Sequence, residues 1–135
     1  MYALTNKQQK MEINNPKILS EVTKQFHLYQ QALIDNDVEV LNKLFWDKSL
    51  TVRFGISENQ YGHADISNYR KKLRKPIMKQ YIQQCIITTY GSDSATTNID
   101  FKREGLNGRQ SQTWIRMPEG WRIVAAHVSF MHEPK

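Results

Sequence analysis

The sequence predicts an α+β fold: three N-terminal helices packed on a strongly curved, mainly antiparallel sheet, forming a cone. Two observations carry this. Three helical patterns with one short strand among them come first, and four strand-like runs joined by short turns follow from Tyr81 onward. Sequential hairpins of this kind build a meander rather than a parallel α/β sheet. The second observation is the stretch from Asn107 to Met131, where two long runs rich in Trp, Ile, Val and Thr flank Pro118-Glu119-Gly120. Pro118 suits the first turn position and Gly120 accepts a positive φ, so a three-residue hairpin loop is expected. At 135 residues the chain is long enough for one domain with a substantial core.

Residues 1–14 are polar, lack periodicity and read as a flexible N-terminal arm, leaving residues 15–132 as the single domain. Asn15-Pro16 is a helix start, an Asn cap with Pro at the first helical position. Ile18, Val22, Phe26, Tyr29 and Leu33 then recur at helical spacing as one apolar stripe, and the Tyr29 hydroxyl needs a partner inside. The helix stops near Asp35-Asn36-Asp37. A shorter one follows, with Val38, Leu41, Leu44 and Phe45 inward and Trp46 at its end. Leu50–Phe54 reads as a strand with Arg53 at its middle, and the segment up to Gly62 as a loop. In a third helix, His63–Lys75, Ile66, Tyr69, Arg70 and Leu73 share one face, and Pro76 ends it. Tyr81–Tyr90 and Ala95–Arg103 are strands, and in the second Thr97, Ile99 and Phe101 alternate with Asn98, Asp100 and Lys102.

Pairing the last hairpin symmetrically about Glu119 sets Trp114 opposite Val124, Gln112 opposite Ala126 and Gln110 opposite Val128. The other face carries Ser111, Thr113, Ile115, Ile123, Ala125, His127 and Ser129. Both faces mix polar and apolar groups. One is expected to meet the core and a polar pocket, the other a second subunit.

The net charge is +6 and the excess is scattered, so a solvated surface of mixed charge fits better than nucleic-acid binding. The single cysteine, Cys85, sits in an apolar run and reads as a buried inert thiol. No run approaches membrane-spanning length and no signal-peptide pattern opens the chain, so a cytoplasmic protein is expected, with no membrane partner. His27, His63, His127 and His132 are scattered, and no metal spacing, phosphate loop or nucleophile elbow is present. No pair of carboxylates clearly faces a pocket.

What remains is a polar set projected inward by apolar elements: Tyr29, Arg53 and Arg70, joined by Gln110 and Gln112 or by His127 from the hairpin, with Trp46 in the pocket wall. Guanidinium groups in a dry site favour carboxylates through paired charge-assisted hydrogen bonds. A tyrosine beside an arginine can serve as a general acid or base or orient a water. Each residue also has a plainer reading. Arg53 suits a solvated or edge strand, Arg70 a snorkelling side chain at a rim, and His127 a structural or interface position. The set suits a small acidic substrate.

The segments TVRFGISENQYGH, at Thr51–His63, and GRQSQTWIRMPEGWRIVAAHVS, at Gly108–Ser129, resemble the AtzH-like family, which includes the oxalurate-catabolism protein HpxZ group. The likeness runs from about Ile13 to Met131. More distantly, the pattern is similar to the SnoaL-like and nuclear-transport-factor-2-like superfamily, with its cystatin-like cone. The resemblance implies a homodimer or larger homo-oligomer built on the outer sheet face, and small-acid chemistry beside a partner amidase. It also implies a cofactor-free, decarboxylating amidohydrolase acting on a small carboxylated urea or oxalurate-like acid, in one branch a dicarboxylated urea, or else a non-catalytic module that binds an acidic metabolite or serves a partner amidase. In one branch a helix-borne Tyr and a strand-borne Arg are the essential pair. By motif these fall on Tyr29 in HLYQQAL and Arg53 in TVRFG. Arg70, Gln110, Gln112, His127 and Trp46 extend that pair as substrate-binding candidates. The segment KKLRKPIMKQ is more basic than the family pattern.

Overall fold

The computed structural model describes residues 11–73 and 79–132. Helices α1 (Pro16–Asp35), α2 (Val38–Leu44) and α3 (His63–Lys72) pack on one curved sheet. Its strands are β1 (Val52–Phe54), β2 (Asn59–Tyr61), β3 (Tyr81–Tyr90), β4 (Ser94–Arg103), β5 (Leu106–Met117) and β6 (Gly120–Phe130). Their order in space is β2-β1-β6-β5-β4-β3. Among the described strands, β1 pairs with β6 in parallel and the other pairings are antiparallel. The expected α+β architecture is therefore present, with one strand more than the sequence suggested. The segment after Phe54, read as a loop, folds back as β2 and pairs Gln60 with Arg53.

The helix signals act as the sequence implied. The Asn15 side chain accepts from the backbone N–H groups of Lys17 and Ile18, with Pro16 in the first turn. Asn36 ends α1 in a left-handed conformation, φ 49°. Its side-chain amide also donates to the Leu73 carbonyl at 2.7 Å, which ties the end of α1 to the end of α3. Asp37 caps α2 through the Val40 N–H. Helix α3 closes at Lys72; the last residues of the predicted helix lie outside the described ones.

The whole predicted stripe of α1 is buried, and it meets Trp114, Trp121 and Ile123 of the hairpin. A second cluster joins Phe26 to Ile99 and Phe101. Truncating a residue such as Phe26 to Ala removes contacts worth roughly 3–5 kcal/mol.

Three expectations need correction. The hairpin turn contains two residues, because Met117 pairs with Gly120, whose φ is 128°. A bulge near Val124 compensates, so Trp114 lies opposite Ile123 and not Val124. That one-residue slip brings Ile123 to the core face, while the pairs Gln112–Ala126 and Gln110–Val128 stand as expected. Cys85 is exposed, since β3 is an edge strand that the helices cover only near Ile87 and Thr89. Finally, residues 12–14 do not hang loose. Asn14 N–H donates to the Thr89 carbonyl at 3.0 Å, the Asn14 side chain accepts from Thr89 N–H, and Gly91 N–H bonds the Glu12 carbonyl. Residues 1–10 of the predicted arm lie outside the described residues.

Candidate functional site

Between α1, α3, the β1–β2 turn and the inner face of the hairpin lies a cavity of about 440 Å³. Arg53, Arg70 and Gln110 line it, together with Glu58 and Tyr69. Strand alternation explains Arg53. Val52 and Phe54 border a groove on the outer sheet face, so Arg53 between them points inward and is only 8% exposed. Strand β1 is interior to the sheet, flanked by β2 and β6, so neither the edge nor the solvated reading holds. Helical spacing explains Arg70. It stands one turn after the buried Ile66 and is 1% exposed, which overrides the rim reading.

The two guanidiniums differ in their company. Arg53 Nη1 donates to Glu58 Oε1 at 3.4 Å and to Gln60 Oε1 at 3.3 Å. Arg70 has no carboxylate partner among the described residues, and its buried Nε and Nη2 find no hydrogen-bond acceptor. Tyr69 lies between them, its ring centre 5.6 Å from the Arg53 guanidinium carbon and 5.7 Å from that of Arg70. Burial pushes the Arg70 guanidinium below its ordinary pKa, which Arg53 reinforces while Tyr29, Tyr69 and Glu58 oppose it. Guanidinium groups are not deprotonated in proteins, so Arg70 stays charged.

Burial raises the Glu58 carboxyl, but the Ser57 hydroxyl, the Arg53 guanidinium and Tyr69 outweigh it and hold Glu58 below the ordinary carboxylate range. Burial and Glu58 raise the Tyr69 phenol, which therefore stays protonated near neutrality. Arg103 and Glu104 stand at the same cavity, so three arginines face two glutamates there. Among the described residues, no group of His, Cys, Asp and Glu side chains is arranged to hold a metal ion.

The sequence candidates divide. Arg53, Arg70 and Gln110 come together at the cavity, and Gln110 donates its side-chain amide to Gln30 of α1 at 3.2 Å. Tyr29 is buried, edge-on to Phe45 and near enough to Arg70 to act on its charge, but it is not among the residues that line the cavity. Gln112 lies deeper in the sheet. Its carbonyl oxygen accepts from Thr97 and from the Trp114 indole, so it braces the core and does not line this cavity. His127 projects from the opposite face, exposed and edge-on to Phe54 at 5.7 Å, because the parallel β1–β6 register places the pair there. Trp46 follows α2 on another side of the molecule, beside Lys43, Glu119 and Arg122. Sequence reading missed Glu58, Gln60, Tyr69 and Gln30. For Gln60 a signal existed: in ENQY it holds the inward position of a strand paired two-by-two with Arg53.

Among the described residues, no helix is long and apolar enough to cross a membrane. The chain is similar to a cystatin-like fold protein from Burkholderia xenovorans, at 43% identity over 92% of this chain and 99% of that one, with TM-score 0.86. A protein of unknown function from Pectobacterium atrosepticum is 42% identical, over 96% and 100% of the two chains, also with TM-score 0.86. A nuclear transport factor 2-like superfamily protein from Salmonella enterica shares the fold at 23% identity and TM-score 0.72, over 88% of this chain and 94% of that one. Among curated proteins no sequence matches this chain. The AtzH-like family profile matches residues 11–134, nearly the whole length, and the chain therefore belongs to the AtzH-like family.

Proposed function

We propose that this protein is a cofactor-free amidohydrolase that cleaves a C–N bond of a small carboxylated urea or oxalurate-like acid, with decarboxylation where the acid is a carbamate. The observation that carries the reading is Arg70. A guanidinium buried to 1% exposure with Nε and Nη2 unpartnered is costly to the free protein, and an incoming carboxylate would relieve that cost. Arg53 stands on the other side of Tyr69 and would stabilise negative charge that develops as water adds to the carbonyl carbon. Tyr29 would hold that water or pass its proton to the departing nitrogen. Gln110 orients the acid through the amide oxygen that its bond to Gln30 leaves available. The protein acts in the cytoplasm as a homodimer or larger assembly joined through the outer sheet face.

A second reading is a non-catalytic acid-binding or accessory subunit of a partner amidase. The apolar side chains left exposed on β3, Tyr81, Ile82 and Ile86, favour it. The deciding experiment is turnover of oxalurate and dicarboxyurea by the purified protein, with Tyr29→Phe and Arg53→Ala beside it. Turnover that falls at least 100-fold in both variants supports the enzyme. No turnover, with acid-dependent thermal stabilisation of the wild type, moves the assignment to the binding module.

A further inference from the structure

Strand β4 brings a third arginine to the cavity. Thr97, Ile99 and Phe101 take the inner face by alternation, and Arg103, two residues on, ends the same row at the cavity. It pairs with Leu106 in the sheet, just before the two-residue turn Glu104-Gly105, whose φ values are 52° and 79°. Its guanidinium carbon stands 4.9 Å from the centre of the Phe130 ring, and Phe130 meets Phe101 edge-on at 6.0 Å. Gly108 pairs with both phenylalanines across the sheet, and a Cβ there would collide with the Phe101 ring. The aromatic shelf under Arg103 therefore depends on that glycine. A guanidinium stacked on a ring face keeps its in-plane N–H groups available to a carboxylate.

We infer that Arg103 sets the specificity of this cavity for acids with two anionic ends: Arg70 takes the inner carboxylate and Arg103 the outer one. The inference rests on the acid-binding reading above and deepens it, choosing a dicarboxylated urea over oxalurate, whose far end is a neutral amide. The charges at the cavity support it. Arg53 is paired with Glu58, whereas Arg70 and Arg103 make no ion pair among the described residues. Arg70 is buried and Arg103 half-buried, so one uncommitted cation stands deep and the other nearer the mouth. Glu104, the second carboxylate of the cavity, is exposed in the turn, where water and salt screen it. A carboxylate at Arg103 gains charge-assisted hydrogen bonds that an amide in the same place does not.

The test is calorimetric binding, at neutral pH, of malonate, succinate and glutarate, each beside its half-amide, in which a neutral amide of similar size replaces one carboxylate. In the wild type at least one diacid should bind at least tenfold tighter than its half-amide. Arg103→Gln should bring that ratio within threefold by weakening the diacid. It should leave the half-amide within threefold of its wild-type affinity, because Arg70 still holds it, and that retained binding shows the cavity intact. A wild type that binds diacids and half-amides alike overturns the inference and leaves the acid-binding reading standing. So does a preference that survives in Arg103→Gln, or a half-amide lost there along with the diacid. Binding of none of these acids to the wild type overturns both.

Discussion

Trp121 donates its indole N–H to the Glu21 carboxylate at 3.0 Å, and the same oxygen accepts from Arg116 at 3.2 Å. One side chain of α1 thereby clasps both strands of the hairpin, on the side away from the cavity. Glu21→Ala should lower unfolding stability by about 1–2 kcal/mol, a part-exposed charge-assisted pair discounted for screening, as read from urea denaturation. Acid binding should be unchanged, because Glu21 stands outside the cavity.

Arg70→Met should separate stability from function. A buried guanidinium without a partner replaced by an apolar chain of similar length is expected to leave stability equal or raise it by about 1–2 kcal/mol. The same variant should lose acid binding in calorimetry. A variant that unfolds instead would show that Arg70 serves the fold.

Tyr29→Phe retains the edge-on contact with Phe45, whose ring centre is 6.0 Å away, so its melting temperature should stay within about 2 °C of wild type, a shift of a few tenths of a kcal/mol. Turnover of a ureido acid should fall at least 100-fold, the scale of one lost proton-handling group. Equal turnover in both proteins would remove Tyr29 from the chemistry.

Glu58 makes stability pH-dependent. Its folded pKa is lowered, so its contribution is complete above the unfolded carboxylate pKa and is lost as pH falls through the folded value. Wild type should lose stability relative to Glu58→Gln across the acid limb below about pH 5, and the difference should level off above it. Arg53→Ala should shift that limb to higher pH, since it removes one of the groups holding Glu58 ionised, and should abolish acid binding with the fold retained. Thermal melts from pH 3 to 7 on the three proteins read this directly.

The helices were legible because their signals are local. Asn15-Pro16 and the stripe from Ile18 to Leu33 need only 3.6-residue periodicity, and α1 answers to both. Arg53 and Arg70 were legible as charged interruptions of apolar patterns. Ile123 was not, because Pro118-Glu119-Gly120 is compatible with a two- or a three-residue turn, and one bulge at Val124 decides which face each side chain takes. His127 and Trp46 failed for a different reason. Their faces depend on pairings between distant segments that no local pattern announces, β1 parallel to β6 for His127 and Phe45 beside Ile123 for Trp46. Glu58 escaped notice because it sits in a turn, where periodicity carries no information.

The parallel pairing of Arg53 with Ala126 has a consequence for how the molecule comes into being. Arg53 leaves the ribosome early, but the strand that holds it emerges only after the rest of the meander. Until β6 docks, a charged strand and an uncovered apolar helix stripe wait in water, so loop closure across the chain must precede any reward from the site. Nascent chains shorter than β6 should therefore be protease-sensitive and unable to retain an acid, and folding from denaturant should be slow for so small a domain, with the binding site among its last parts to form.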